Sequence, residues 1–250
     1  MKHFRSGTVD IAFLDEGAGH PILLIHGFAS SARVNWVETS WLATLTRSGR
    51  RVIALDNRGH GGSGKLYSVD DYRIPLMAGD SRNLLDHLGI ARADVMGYSM
   101  GGRIAAFLAA TAPDRVRSLI VGGIGMAMVH GMAGGEEIAA ALTAPDLAAA
   151  PHGMARGYRT FAERTGSDLR ALAACVLGSR DAVPAAMLAR IKAPTLVAVG
   201  EEDEVAGSGA ELAKIIPGAV FLPIPRRDHM LATGDRVFKE AVVAFLAKRP

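Results

Sequence analysis

The sequence predicts an α/β fold: a doubly wound, mostly parallel sheet with a helical segment inserted between two of its strands. Three observations support this prediction. Short apolar runs alternate with helical patterns along most of the 250 residues, which is typical of strand–helix–strand units. Several of these runs are apolar throughout, as expected for strands buried on both faces. Between residues 125 and 191 no strand-like run occurs.

The predicted elements follow one another in the order that such a sheet requires. A weakly alternating strand and then a series of apolar runs are found at residues 9–14, 21–25, 52–56, 94–96, 116–121, 194–200 and 220–224. Helical spacing of apolar residues is found at 37–47, 72–88, 100–111 and 235–247. The first strand is expected at the edge of the sheet, and right-handed crossovers are expected between the parallel strands.

The inserted segment divides the chain into two regions. Residues 1–124 and 192–250 are predicted to form the core, and residues 125–191 a helical cap. The cap is rich in Ala, Gly and Met, the methionines being Met126, Met128, Met132, Met154 and Met187. Flexible methionine side chains suit a lid over a hydrophobic acyl pocket, and they suit the ordinary core of a small subdomain equally well.

Composition and charge narrow the classes of function. The net charge of +3 comes from Lys and Arg scattered without a run, which argues against nucleic-acid binding. No apolar run of about 18 residues and no apolar leader near Met1 are found, so a cytoplasmic protein that does not bind membranes is expected. The single Cys175 is expected to be buried. No metal-ligand spacing is found, so no metal or cofactor is implied.

The segment at residues 94–102 organises the rest of the chain. It reads Asp-Val-Met-Gly-Tyr-Ser-Met-Gly-Gly, an apolar strand that enters a Gly-x-Ser-x-Gly sequence, and an Ala-rich helix follows at once. A serine at such a corner has its hydroxyl exposed above the sheet, and Gly97 and Gly101 keep strand and helix from colliding. The helix that starts at Met100 directs N–H groups toward negative charge beside Ser99. Ser99 is therefore the candidate nucleophile.

In this context the chain resembles the α/β-hydrolase family over nearly its whole length. Ser99, Asp203 and His229 stand in the order Ser, Asp, His that this fold uses, each shortly after a predicted strand. The resemblance implies that His229 takes the Ser99 proton and that Asp203 fixes the imidazole. It also implies an oxyanion hole formed by the backbone N–H groups of Phe28 and Met100.

A glycine-rich segment at residues 57–65 offers a nucleotide-binding alternative. It contains Gly-x-Gly-x-x-Gly and nearly completes a P-loop that ends in Lys65. Both motifs need a helix that begins at the glycines, whereas loop-like sequence continues here, and Leu66 stands where a P-loop needs Ser or Thr. The segment instead resembles the Asp-x-Arg-Gly-x-Gly-x-Ser loop of α/β-hydrolases, in which Asp56 and Arg58 brace the structure.

The resemblance implies a serine hydrolase that cleaves carboxylic esters of small to medium apolar substrates through an acyl-enzyme. Ser99 argues against haloalkane dehalogenases and epoxide hydrolases, which need a carboxylate nucleophile, and against dienelactone hydrolases, which use Cys. Among the four carboxylates at residues 201–204, Asp203 matches the family's Gly-x-x-Asp placement. Asp228 adjoins the candidate base and is expected to point away from it. His26, which opens the loop before the first oxyanion donor, is expected to brace that loop.

Two alternatives stay open. The elbow Gly-Tyr-Ser-Met-Gly-Gly-Arg is similar to that of the menaquinone-pathway lyases of this fold, which bind polyanionic substrates through cap arginines, and Arg156, Arg159 and Arg164 could serve here. The same elbow also occurs in C–C bond hydrolases. The second alternative is a small-molecule sensor that hydrolyses slowly if at all. Nothing in the pattern predicts the natural substrate or the oligomeric state.

Overall fold

A computed structural model of the chain describes residues 1–248 and contains an eight-stranded sheet with helices on both faces. The strands are β1 (Lys2–Ser6), β2 (Val9–Glu16), β3 (His20–Ile25), β4 (Arg50–Leu55), β5 (Ala93–Tyr98), β6 (Val116–Gly122), β7 (Thr195–Gly200) and β8 (Val220–Ile224). The α-helices are α1 (Trp41–Arg47), α2 (Ile74–His87), α3 (Met100–Thr111), α4 (Ala127–His130), α5 (Gly135–Thr143), α6 (Met154–Arg164), α7 (Leu169–Gly178), α8 (Ala185–Leu188), α9 (Gly209–Ile215) and α10 (Arg236–Ala247).

The sheet is mostly parallel, as predicted. Its strands lie in the order β1-β2-β4-β3-β5-β6-β7-β8, and only the β1–β2 and β2–β4 pairs are antiparallel. The sequence does not predict β1, and the expectation that the strand at 9–14 forms the edge is wrong, because β1 pairs along its outer side. In β1 only Phe4 and Ser6 are buried, so its alternation is too short and too polar to be recognised.

The central strands are buried on both faces, which explains their continuous apolar sequences. In β3, Leu23 and Ile25 belong to the core on one side of the sheet, whereas Ile22 and Leu24 belong to the core on the other. Successive side chains of a strand point to opposite faces, so a strand covered on both sides must be apolar at every position. Helices α2, α3 and α9 cover the first face, and α1 and α10 cover the second.

The helix predicted at residues 37–47 is divided in two. A π-helical turn at Arg33–Val37 comes first, and α1 begins only at Trp41. Ser40 separates them because it adopts a left-handed conformation with φ of 66°. Trp36 and Trp41, one from each piece, are fully buried and pack edge to face with ring centroids 6.3 Å apart. Apolar spacing continues across the break, so periodicity alone does not reveal it.

Between β6 and β7 the chain forms five helices, α4 to α8, and no strand occurs in this stretch of the described chain. Its helices pack in two different ways. Apolar residues of α5, of α6 and of α7 (Leu172, Ala173 and Val176) form a separate small cluster, which also includes Ala29 of the loop after β3. Met128 of α4, Cys175 of α7 and Leu188 of α8 belong instead to the main core. The division at residues 125 and 191 stays a prediction, and the segment that stands apart from the core is centred on α5 and α6.

The carboxyl ends of the parallel strands meet at one edge of the sheet, and the predicted site residues follow three of them. Ser99 comes directly after β5, Asp203 follows β7, and His229 follows β8. In an open α/β sheet this edge collects ligands and chemistry. Within the described residues, none of the helices has the length and apolar character needed to span a bilayer.

Candidate active site

Ser99 occupies a strained corner between β5 and α3. Its φ of 54° and ψ of −115° lie in a region that residues with a side chain rarely adopt. The turn is held from both sides, because the Ser99 N–H donates to Gly122 O at 2.8 Å and the Ser99 carbonyl accepts from Arg103 N at 3.2 Å. The corner directs the hydroxyl out of the strand and toward the cleft above the sheet edge.

The two glycines of the elbow are required by space. A Cβ atom on Gly97 would lie 2.0 Å from Gly101 O, and one on Gly101 would lie 2.0 Å from Ile25 O. Both contacts are with backbone, which cannot move aside without displacing the strand or the helix. The sequence Gly-x-Ser-x-Gly is therefore what permits β5, α3 and β3 to approach this closely.

The structure brings the three predicted side chains into one hydrogen-bonded line. His229 Nε2 lies 3.0 Å from Ser99 Oγ, and His229 Nδ1 lies 2.8 Å from Asp203 Oδ2. The Asp203 side chain is fully buried and that of His229 is 12% exposed. A carboxylate at Nδ1 favours the tautomer with its proton on Nδ1, which leaves Nε2 free to accept a proton from the serine hydroxyl.

Backbone groups hold the Asp203 carboxylate in place. Its Oδ1 atom accepts hydrogen bonds from Val205 N and Ala206 N, both at 2.9 Å, so Oδ2 is left for the imidazole. The Asp228 carboxylate contacts backbone groups and not the imidazole. Its Oδ1 atom accepts hydrogen bonds from Met230 N and Leu231 N, at 3.0 and 2.7 Å. The three neighbouring glutamates are exposed. Asp203 is thus the carboxylate that meets the imidazole, and Asp228 caps the turn after it.

The loop after β3 presents one unused N–H group beside Ser99. Gly27 N donates to Asn35 Oδ1 at 2.9 Å, and Ala29 N donates to His60 Nε2 at 3.2 Å. In residues 1–248 no hydrogen bond uses Phe28 N, which lies between them, or Met100 N at the start of α3. Both predicted oxyanion donors therefore have their N–H groups available to a ligand, and their role stays a prediction.

His26 and His60 form the support behind this loop. The Nδ1 atom of His26 donates to Gly27 O at 2.7 Å, and its Nε2 atom accepts from Asn57 N at 2.9 Å. His60 Nδ1 donates to Arg58 O at 2.9 Å, and the two rings pack edge to face with centroids 5.1 Å apart. The expectation that His26 braces the loop is confirmed. The sequence analysis did not identify His60, although it stands in the motif that resembles the family loop.

Both histidines are fully buried, and burial keeps them neutral. It lowers the pKa of His26 to about 4 and, together with the nearby His26, that of His60 to about 3. An unfolded histidine binds a proton near pH 6.5. We therefore expect the free energy of unfolding to fall as the pH drops from 7 to 5, by about 2 kcal/mol for each histidine. Urea denaturation at pH 7, 6 and 5 measures this slope above the range in which carboxylates titrate.

A variant separates the histidine contribution from other effects of pH. His60→Asn is expected to destabilise the protein at pH 7, because Ala29 N loses its acceptor, and to flatten the slope between pH 7 and 5 by about half. An unfolding free energy of the wild type that does not change over this interval would contradict the account of two neutral buried histidines.

The glycine-rich segment is a structural loop. Its Lys65 ammonium donates to the carbonyl oxygens of His60, Gly61 and Ser63 at 3.2, 2.7 and 2.6 Å, whereas a P-loop lysine would point at a phosphate. The next α-helix, α2, begins well beyond the glycines. Asp56 accepts from Ala32 N and Gly62 N, both at 2.7 Å. These contacts confirm the bracing interpretation of the loop.

Ser99 and His229 lie on the floor of a cleft of about 560 Å³. Its walls come from the loop after β3, from the π-helical turn, from α6 and from the turn after β8, with side chains of Phe28, Val34, Asn35, Tyr158, Phe161 and Leu231 among them. The rim carries exposed apolar side chains, since Met154 is 58% exposed and Met230 55%. Tyr98 supports the floor, because its hydroxyl donates to His229 O at 2.5 Å. A cleft of this size and character accommodates a medium-sized, largely apolar ligand.

Only one of the three predicted cap arginines reaches the cleft. Arg159 donates to the carbonyl oxygens at the end of α5 and to Glu163, and Arg156 donates to the carbonyls of Ala148 and Ala150. Arg164 lines the cleft. Two other arginines, Arg103 and Arg180, lie close to the nucleophile, and the sequence analysis did not identify either of them as a site residue. Within residues 1–248 no group of three or more His, Cys, Asp or Glu side chains could hold a metal ion.

The sequence profile of the alpha/beta hydrolase fold matches residues 20–159, which is more than half of the chain. The chain belongs to the α/β-hydrolase family. The matched range contains Phe28, Ser99 and Met100 and ends before Asp203 and His229. The family resemblance expected from the sequence is confirmed.

Similar proteins of this fold have varied names. A hydrolase from Pseudomonas aeruginosa is 26% identical, has a TM-score of 0.81, and the alignment covers 98% of this chain and 97% of that one. An enol-lactonase from Burkholderia xenovorans is 24% identical with a TM-score of 0.82, covering 98% of this chain and 100% of that one, and shows the fold alone. A fluoroacetate dehalogenase from a Burkholderia species is 36% identical over 118 residues, 46% of this chain and 38% of that protein. The chain spans less than half the length of the curated relatives it matches.

Proposed function

We propose that this α/β-hydrolase cleaves carboxylic esters through an acyl-enzyme formed on Ser99. The observation that carries the proposal is the line of two contacts at the floor of the cleft, 3.0 Å from Ser99 Oγ to His229 Nε2 and 2.8 Å from His229 Nδ1 to Asp203 Oδ2. A serine hydroxyl is a weak nucleophile until a neighbouring base takes its proton, and this arrangement supplies such a base with its orienting carboxylate.

The proposed reaction has two halves. Ser99 Oγ attacks the ester carbonyl carbon as its proton passes to His229 Nε2, and the charge on the carbonyl oxygen is met by the N–H groups of Phe28 and Met100. The imidazolium then gives its proton to the departing alcohol oxygen, which leaves the acyl group on Ser99. In the second half water attacks the acyl carbon, His229 takes the water proton, and the free acid departs as Ser99 recovers its proton.

The relatives have names from several reaction classes. The serine at the elbow supports the serine-hydrolase class for this chain. The similar fluoroacetate dehalogenase acts on a carbon–halogen bond, as its name states. Dehalogenases of this fold need a carboxylate at the elbow, whereas this chain has a hydroxyl there. The apolar walls of the cleft and its volume of about 560 Å³ favour esters of small to medium apolar substrates.

The lyase alternative is weakened, because two of the three cap arginines that could bind a polyanionic substrate are engaged elsewhere. Arg156 and Arg159 use their guanidinium groups on backbone carbonyls, which leaves Arg164 as the one cap arginine of the three that lines the cleft. C–C bond hydrolysis on the same three side chains remains a second reading of the site, and the sensor remains a third. Turnover of simple esters separates the proposal from both.

Rapid quenching followed by mass spectrometry tests the acyl-enzyme directly. With p-nitrophenyl acetate in excess, we expect a release of p-nitrophenol and a mass increase of one acetyl group on the peptide that contains Ser99. Acetylation of Ser30, which lines the same cleft with a buried hydroxyl, serves as an internal control and is expected to be absent. Turnover without any acylated Ser99 peptide would contradict the mechanism, and absence of turnover would favour the sensor.

A further inference from the structure

A side-chain amide on the wall of the main cleft has a donor that no protein group uses. Asn35 is 7% exposed and lines the cleft. Its Oδ1 atom accepts from Gly27 N at 2.9 Å, and since a backbone N–H must meet an oxygen, this contact fixes which way the amide faces. Within residues 1–248 no acceptor takes a hydrogen bond from Nδ2. Buried polar groups are nearly always paired, so this donor is available to a ligand in the cleft.

The turn that carries Asn35 holds the amide in one orientation. Asn35 N donates to Ser31 O at 2.9 Å, and the Thr39 hydroxyl donates to Asn35 O at 2.5 Å. The neighbouring Trp36 is fully buried and anchors the turn to the core. The turn is π-helical, a rare geometry that is frequent at functional sites. A donor fixed in this way can select a ligand by the position of its acceptor.

The amide lies close to the reacting serine, but not where the carbonyl oxygen is expected. A Cβ atom on Gly27 would lie 3.5 Å from Ser99 Cβ and 3.7 Å from Asn35 Oδ1, so the two side chains stand on either side of one glycine. The carbonyl oxygen of the proposed reaction meets Phe28 N and Met100 N. The small cavity of about 20 Å³ beside these groups is not lined by Asn35, within the described residues. The Asn35 donor therefore serves another part of the substrate.

Asn35 stands on the side of the cleft where the alcohol half must lie. The end of the π-helical turn packs against the segment that follows His229, since a Cβ atom on Gly234 would lie 3.3 Å from Thr39 Cβ. Leu231 and Thr233 of that segment line the cleft together with Asn35 and Thr39. His229 must give its proton to the departing alcohol oxygen, so the alcohol lies against this wall.

We propose that Asn35 is a specificity-determining residue whose Nδ2 donates to an oxygen in the alcohol half of the substrate, so that the preferred substrates are esters of 2-oxygenated alcohols, such as monoesters of short diols and their ethers. The inference rests on the proposed ester hydrolysis and adds the substrate class. Because one glycine separates the amide from Ser99, the acceptor must lie within a few bonds of the ester oxygen.

The physical basis of the preference is the cost of covering an unused donor. An alkyl alcohol group would displace water from the Asn35 NH₂ group without replacing its hydrogen bond, whereas an ether or hydroxyl oxygen replaces it. A site that hydrogen-bonds one substrate discriminates against an analogue of the same shape that lacks the acceptor. The ligand group is expected to be neutral, because Glu38, the charged residue of this wall, is exposed and pairs with Arg33 at 3.3 Å.

Two acetate esters of equal heavy-atom number test the preference at pH 8. 2-Methoxyethyl acetate has an ether oxygen where butyl acetate has a methylene group. We expect the wild type to have a kcat/KM for the ether about tenfold above that for butyl acetate, after division by the hydroxide-catalysed rates of the two esters without enzyme. This division removes the inductive effect of the ether on the leaving group.

Asn35→Asp assigns the preference to one nitrogen atom. The carboxylate keeps an acceptor for Gly27 N and removes the donor, so the ratio of 2-methoxyethyl to butyl acetate is expected to fall to one or below. The preference for 2-hydroxyethyl over propyl acetate should persist, because a hydroxyl can donate to the carboxylate. A structural role of Asn35 alone would change all four rates together.

Asn83→Asp is the matched control. Asn83 lies on α2, where its Nδ2 atom donates to Ser6 Oγ at 3.0 Å, and it does not line the cleft. This variant should keep both wild-type ratios. Circular dichroism and melting temperature establish that each variant is folded.

The outcomes separate this inference from the proposed function. A wild type that hydrolyses these esters through Ser99 with equal corrected kcat/KM overturns the inference and leaves the ester hydrolase standing. An ether preference that survives in folded Asn35→Asp also overturns it. If Asn35→Asp does not fold, Asn35→Leu takes its place. Its damaged loop support slows both esters alike, so an ether preference that persists there has the same meaning. Absence of Ser99-dependent hydrolysis of the four esters and of p-nitrophenyl acetate would instead contradict the proposed function.

Discussion

Replacing Ser99 with alanine is expected to lower kcat for p-nitrophenyl acetate by about 10⁴-fold or more, because the attacking oxygen is removed while the base and the oxyanion donors remain. The fold should persist. Within residues 1–248 the serine hydroxyl has one side-chain partner, His229 Nε2 at 3.0 Å, and the strained turn is held by backbone hydrogen bonds to Gly122 and Arg103. Initial rates and a thermal melt of the same preparation measure both expectations.

Ser30→Ala is the matched control for this variant. Ser30 lines the same cleft, is 6% exposed, and has a hydroxyl without a hydrogen-bond partner among the described residues. Removing that hydroxyl is expected to keep the rate within about tenfold of the wild type, because no contact in the line from Ser99 to Asp203 is disturbed. A fluorophosphonate probe should label the wild type and Ser30→Ala and should not label Ser99→Ala. Stoichiometric labelling of Ser99→Ala would show that the nucleophile is misassigned.

Replacing Asp203 with asparagine is expected to lower kcat by roughly 10²- to 10⁴-fold through loss of control over the imidazole tautomer. The two N–H groups of Val205 and Ala206 require an acceptor, so the amide oxygen of the asparagine takes the place of Oδ1. Its NH₂ group then faces His229 Nδ1 and donates to it. The imidazole must move its proton to Nε2, where it can no longer accept the proton of Ser99.

Four single replacements test whether Asp203 is the right carboxylate. Glu201→Gln, Glu202→Gln, Glu204→Gln and Asp228→Asn each remove one nearby charge. Each is expected to keep kcat within about tenfold of the wild type, since the glutamates are exposed and Asp228 caps the turn before Leu231. Near-normal activity of Asp203→Asn together with the collapse of one of these variants would move the acid to that residue and leave Ser99 and His229 in place.

The fold class and the elbow could be predicted because their signals are local. A strand that is covered on both faces must be apolar at every position, and β3 shows this over its four buried residues, 22–25. The elbow is likewise recognised from neighbours in sequence, since a Cβ atom on Gly97 would lie 2.0 Å from Gly101 O. Cys175, expected to be buried because of its apolar surroundings, is fully buried in the main core.

Other features depend on partners that lie far away in sequence. β1 has a short polar pattern and exists because β2 pairs with it. The support of the oxyanion loop by His60 joins positions 31 residues apart, and nothing near His60 predicts that Ala29 N will need an acceptor. For the cap arginines, the sequence suggested a function that the structure does not support. Their charge suggested a ligand, whereas Arg159 donates to backbone carbonyl oxygens of α5.

By itself the sequence determined the family, the alternation of strands and helices, and three candidate residues in the correct chain order. Spacing along the chain and local sterics are sufficient for these. Only the tertiary structure decided that His229 Nε2 lies 3.0 Å from Ser99 Oγ and that His229 Nδ1 lies 2.8 Å from Asp203 Oδ2. It also placed Arg103 and Arg180 close to the nucleophile. Distances between side chains that lie far apart in sequence result from packing over the whole fold, which short-range patterns do not encode.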